Sequence, residues 1–274
     1  MSFSEGKKAT RQRVIMTELA LSPSVRTSEL AMQLGVSAET VRRDIEELTR
    51  RGLVSRTYGG ATGLQLGLQP GFQDRDATAV QERDAIARMA VQMVKPGDVL
   101  MIDSGSTTAH FARALAYSVD GLTVITNGLA VAQALASQGK TRVVFCPGEF
   151  SAHEGGVYGP ETCAFLGRFN ADIAFIGASG LTLEGPNDVE SDACWVKRRM
   201  LERAERRALL VTSSKFNRRH LELVCPLEDL SDIVTEAQPM KGLVDALRSS
   251  KVALHVSAIG SQRHSKELKS SHPD

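Results

Sequence analysis

The sequence predicts two domains of different class: a small, mainly helical N-terminal unit over residues 1–61 and a larger α/β domain with a mainly parallel sheet over residues 80–257. Three observations carry this. Residues 26–51, "RTSELAMQLGVSAETVRRDIEELTRR", hold two short helical patterns broken at Gly35. From Gln81 onward, short apolar runs alternate with helical patterns, as in a parallel sheet covered on both faces. Between them, 62–79, "TGLQLGLQPGFQDRDATA", is rich in Gly and Gln, contains Pro70 and shows no sustained helical period, which predicts an interdomain linker.

In the first unit, a helix is expected to start near Thr27 or Ser28, either of which can cap it, and to stop at Gly35, which tolerates a left-handed turn. Ser37 then caps a second helix, with Glu39 in its first turn. Val41, Ile45 and Leu48 form that helix's buried stripe, and Thr40, Arg42 and Arg43 project elsewhere. Such a helix fits a DNA major groove, its polar residues facing base edges and phosphates. In "GLVSRTYGGA", Gly52 ends the helix, "LVSR" makes a strand and Gly59–Gly60 turn it back, placing Arg56 and Tyr58 near a wing. The prediction is a winged helix-turn-helix on double-stranded DNA, with Ser37, Thr40, Arg42, Arg43, Arg56 and Tyr58 as candidate contacts. Residues 1–61 carry ten Lys/Arg against seven Asp/Glu, a mild basic excess that suits a polyanion.

In the second domain, "QERDAIARMAVQMV" has apolar residues at 86, 89, 90, 93 and 94, a helical spacing. "GDVLMID", "GLTVITNG", "TRVVFCPG", "ADIAFIGASG" and "RALLVTSS" read as buried strands, with helices between them over 107–116, 129–137, 160–166 and 192–204. A last unit has "SDIVTE", a helix near 240–249 and "KVALHV"; residues 258–274 are polar and expected to be a disordered tail. In "IDSGSTTAHFARAL", Ser104, Gly105, Ser106, Thr107 and Thr108 stand between a strand and a helix start. That turn either caps the helix or gathers N–H groups and hydroxyls around a phosphate. Asp103, just before it, either accepts from sugar hydroxyls or caps the turn. Asn127 and Lys215 also follow strand ends, where α/β pockets form, and Lys215 is either a phosphate partner or a solvated lysine.

Bulk properties narrow the class. Hydrophobic residues make up 42% of the 274 and charged residues 24%, the balance of a globular domain rather than a membrane or disordered chain. No apolar run reaches the roughly 20 residues of a transmembrane helix, and the polar, basic N-terminus lacks the apolar core of a secretory signal. Cys146, Cys163, Cys194 and Cys225 lie far apart with no C-x-x-C, which points to reduced thiols in a cytoplasm. His110, His153 and His220 sit singly without ligand spacing, so no metal or cofactor is expected.

"LAMQLGVSAETVRRDIEELTRRGLVSRTYGGA" resembles the opening signature of DeoR-type bacterial transcriptional regulators. "GDVLMIDSGSTTAHFARAL", "LTVITNGLAVAQAL", "YGPETCAFL", "ADIAFIGASGL" and "SSKF" are similar, in order, to blocks of that family's effector domain, so the resemblance runs from about residue 7 to 257. It implies a cytoplasmic, oligomeric repressor (a dimer or a multiple of dimers) of a carbohydrate catabolic operon. Operator binding would be controlled by a phosphorylated sugar. It also implies an effector domain similar in fold to ribose 5-phosphate isomerase, and effector roles for Asn127, Gly148 and Lys215. The isomerases place acids in a "G-A-D-E" turn and at the start of a following helix. Here the turn is "GASG", with Ser179 and Gly180, and the helix start reads "WVKRRM". A proton-moving base is therefore expected to be missing, and the protein is expected not to be an enzyme. The rival readings are a sugar-phosphate isomerase with a regulatory DNA-binding appendage and a winged helix used for protein contacts. Departures from the family pattern at Pro147, Thr212 and Glu190 bear on ligand identity.

Overall fold

The computed structural model describes residues 3–21, 24–50, 54–57, 59–63 and 69–257. The chain divides into two compact units, 1–68 and 69–274. The first contains α1 (Phe3–Leu21), β1 (Ser24–Arg26), α2 (Thr27–Leu34), α3 (Ala38–Arg50), β2 (Val54–Thr57) and β3 (Gly60–Gly63), with the strands antiparallel in the order β1-β3-β2. Gly35 joins α2 to α3 at φ 61°, and its N–H reaches back to Met32 O, so glycine relieves the Cβ strain of that turn. The expected cap at Thr27 or Ser28 is not made. Arg26 occupies the cap position without a side-chain bond, and Thr27 is buried in the first turn. Ser37 does cap α3, its Oγ accepting from Thr40 N at 3.2 Å. Val41, Ile45 and Leu48 pack with Ile15, Leu30, Val54 and Ala61 in one core. Arg11 Nε clamps the buried Asp44 at 2.7 Å, tying α1 to α3.

The second unit is built on a seven-stranded sheet in which every pairing is parallel. Its order is β15-β14-β12-β9-β4-β5-β6, for β4 (Val99–Ile102), β5 (Thr123–Thr126), β6 (Arg142–Phe145), β9 (Ala171–Ile176), β12 (Ala204–Leu210), β14 (Asp232–Thr235) and β15 (Ala253–Val256). Side chains alternate across it. Ile173 and Phe175 face α5 (Val80–Val91), α6 (Ser106–Ala116) and α7 (Leu129–Ala136). Ala174 and Ile176 face α8 (Pro160–Leu166), α9 (Ser191–Glu202) and α10 (Lys241–Ser249). Two small sheets, β7 (Glu149–Ser151) with β8 (Gly156–Tyr158), and β10 (Gly180–Leu181), β11 (Pro186–Asp188) and β13 (Glu222–Leu223), were not foreseen from the sequence. Their strands are two or three residues long, too short to show a period.

The linker predicted over 62–79 needs correction at both ends. Residues 62–63 end β3, and from Gln69 the chain belongs to the second unit, forming α4 (Phe72–Asp76). Arg75 is the reason: it is 8% exposed and paired with Glu154, which fastens this polar segment to the domain. The expected tail at 258–274 lies outside the described residues.

Candidate functional site

On the first unit, α3 turns its apolar stripe inward and leaves Glu39, Arg42 and Arg43 in solvent. The Arg42 side chain is 59% and the Arg43 side chain 78% exposed, each 3.5 Å from Glu39. Exposed pairs of this kind contribute little to stability, so both arginines are available to a polyanion. Ser37 and Thr40 hydroxyls lie 2.9 Å apart at the helix start. Arg56 on β2 is exposed, and Tyr58 lies outside the described residues.

On the second unit, a pocket partly open to solvent lies beyond the carboxyl ends of β4, β9 and β12. The connections leave β4 and β9 in opposite directions across the sheet, so this is the switch point where α/β folds open a crevice. Asp103, Ser104, Gly105, Ser106, Thr107 and Lys215 all line it. The first N–H groups of α6 have no partner within their own helix and carry the positive end of its dipole toward the pocket.

Three predicted effector residues sit behind this wall instead. Asn127 is fully buried, its Oδ1 accepting from Ser104 N at 3.0 Å and its Nδ2 donating to Val157 O at 3.0 Å, so it braces the cradle with both ends occupied. Thr108 is also fully buried and donates to Gly105 O at 3.0 Å. A Cβ at Gly148 would stand 2.1 Å from Thr162 Oγ1 and 2.5 Å from Tyr158 O, so close packing explains that glycine.

The structure adds residues that the sequence reading passed over. Arg83 on α5 is 4% exposed, and its Nε and Nη1 have no partner. Burial pushes its pKa down. Among the described residues neither Arg83 nor Lys215 forms an ion pair. Loss of solvent lowers the Lys215 ammonium to about 7, with Arg218 and Arg75 adding to the fall. A signal for Arg83 existed: it falls three residues before Ile86, on the helix's apolar stripe.

In the same pocket, Lys197 pairs with Asp188 and stands 3.5 Å from Asp103 Oδ2. Asp103 Oδ2 accepts from Gly177 N at 3.0 Å, whereas its Oδ1 is buried without a partner. Burial lifts Asp103 to about 6 against the pull of Lys197. Asp188 is buried too, yet Lys197, Ser179 and Val189 N hold it below the usual carboxylate range. The expectation of a pocket stripped of acid–base groups is thus corrected: Asp188 arrives on β11, and Lys197 of "WVKRRM" turns inward. Of these two acids, Asp103 keeps a free oxygen and Asp188 is consumed by its partners.

Family models match both units. The DeoR-like helix-turn-helix domain covers residues 11–65, and the DeoR C terminal sensor domain covers 78–237. The chain belongs to the DeoR family. It is 29% identical to the glycerol-3-phosphate regulon repressor of Escherichia coli over 91% of this chain and 99% of that one. The uncharacterized HTH-type transcriptional regulator YulB of Bacillus subtilis is 31% identical over 89% and 95%. A solved D-ribose-5-phosphate isomerase in complex with phospho-erythronic acid covers 49% of this chain and 52% of its own, at 15% identity and a TM-score of 0.38. As a DeoR member the chain is a DNA-binding transcriptional regulator with a sensor domain. Among the described residues no helix is long and apolar enough to cross a membrane.

Proposed function

We propose that this regulator is a cytoplasmic, oligomeric repressor of a carbohydrate catabolic operon, controlled by a sugar monophosphate bound in the second unit. One observation carries the ligand reading: two cations that form no ion pair among the described residues, Arg83 (its Nε and Nη1 unpartnered) and Lys215, share a pocket with the α6 N-terminus. A dianion there satisfies orphaned donors and relieves like-charge repulsion at once. The same pocket holds the free Asp103 Oδ1 beside Lys197, which accepts from a hydroxyl and repels a second anionic group. Phosphate on the cations and hydroxyls on Asp103 describe a phosphorylated polyol or sugar.

The test is a gel shift of the intact protein on DNA upstream of its own operon, repeated with inorganic phosphate, glycerol 3-phosphate, ribose 5-phosphate and fructose 6-phosphate. Thermal shifts run in parallel, where a ligand at about 100 times its dissociation constant adds roughly 2.7 kcal/mol. At least one organic monophosphate should raise Tm and change DNA affinity, and Lys215→Ala should abolish both effects. The purified protein should not interconvert ribose 5-phosphate with its ketose, since Asp188 is held by Lys197 and Ser179 and the turn where the isomerases carry their acids holds Ser179 and Gly180, leaving Asp103 alone. Absence of any phosphate effect, or turnover at enzymic rates, removes this reading.

A further inference from the structure

The segment that follows the DNA-binding unit forms one wall of the pocket. Gln69 is the first residue of the second unit and the sixth after β3. Its Nε2 donates to the Glu154 carboxylate at 3.1 and 3.2 Å, and its Oε1 faces Ser179 Oγ at 2.8 Å. Ser179 has a single hydroxyl proton and a second acceptor, Asp188 Oδ1, at 2.5 Å. A charged, closer acceptor takes that proton, so the Gln69 carbonyl is held by a contact with no hydrogen to share. Arg75, in the middle of the segment, joins Pro70 O at 2.7 Å and the Glu154 carboxylate at 2.9 Å while lining the pocket. At the far end Ala79 sits at φ 49° and ψ 40°, a left-handed conformation that Cβ disfavours. Arg83, with its two unpartnered nitrogens, follows one turn later.

We propose that residues 69–79 are the transmission element of this regulator, gripped directly by the effector. The effector's anionic group draws Arg75 and Arg83, while its hydroxyls compete with Gln69 for Ser179 and Glu154. Occupancy therefore changes how firmly the segment is held. Because the segment continues the chain of the DNA-binding unit, that change reaches the operator-binding head along the backbone. A contested hydrogen bond at one end and a strained alanine at the other give the segment a second arrangement at small cost. The inference rests on the effector reading above and adds the route by which binding is reported.

The experiment uses the intact protein and the same four phosphate probes. DNA affinity is measured with and without each probe at saturation, saturation being established by calorimetry on each variant. Wild type should show a change of about tenfold, within the usual range of allosteric coupling; Gln69→Ala, saturated with the same probe, should show less than about twofold. In wild type, amide exchange over 69–79 should shift on adding the probe, which keeps the test independent of any variant's folding. Unchanged exchange over 69–79 at saturation, or a full DNA response in Gln69→Ala, overturns the proposal while leaving the effector reading in place. If no probe binds wild type, both fall together.

Discussion

Lys215 gives the sharpest quantitative test of the pocket, because its charge depends on pH where an arginine's does not. Without ligand its ammonium titrates at about 7, and a bound phosphate dianion raises that value well above the working range. Affinity then follows the protonated fraction of the free protein. That fraction is about one half at pH 7 and about 0.03 at pH 8.5, so binding weakens about fifteenfold, or roughly 1.6 kcal/mol. The phosphate is already mostly dianionic over this window, its second pKa being about 6, and Asp103, lifted to about 6, is mostly ionised. The lysine therefore dominates the slope. Calorimetry without DNA, in buffers of different ionisation enthalpy, should detect close to one proton taken up per ligand at about pH 8.5. Lys215→Arg should flatten the profile and abolish the uptake. The same slope in both proteins would show that Lys215 does not touch the anion. The sign for stability is opposite: the unfolded chain holds this proton up to a higher pH than the ligand-free fold. The group therefore adds stability as pH rises from about 7 toward 10.

Removing Arg42 and Arg43 one at a time should weaken binding to all DNA sequences and reduce the slope of log affinity against log salt by about one for each lost phosphate contact, measured by fluorescence anisotropy. Gly128→Ala should abolish effector binding and spare operator binding, since a Cβ there would stand 2.9 Å from the Ser104 backbone; thermal shift and gel shift separate the two. Ala79→Gly should stabilise the protein by about 0.5–1 kcal/mol in chemical denaturation by relieving the left-handed conformation, although glycine usually costs stability.

Helix α3 and the parallel sheet were legible because both are written in local periodicity. Val41, Ile45 and Leu48 repeat at helical spacing, and most strands of the large sheet hold a short apolar run followed by small residues. The Ser104–Thr107 cradle was legible for the same reason, standing where a strand gives way to a helix. Arg75 and Glu154 were not, since they are 79 residues apart and meet only through the fold. The segment 62–79 looked like a linker because its Gly, Gln and Pro deny it a period, and its attachment rests on distant partners: Arg75 on Glu154, Gln69 on Glu154 and Ser179, and Asp76 on Arg113.

By itself, then, the sequence determined the strands of the large sheet and the helices between them, which face of α3 is free, and where a Gly/Ser/Thr turn joins a strand to a helix start. Those properties follow from side-chain spacing along a few turns of chain. Tertiary structure alone decided that Arg83 and Lys215 face the same cavity with no ion pair among the described residues, that Asp188 is neutralised by Lys197 while Asp103 keeps a free oxygen, and that Asn127 braces the cradle from behind. The physical reason is that charge pairing and desolvation depend on distances in space between residues far apart in the chain, and no local pattern encodes them.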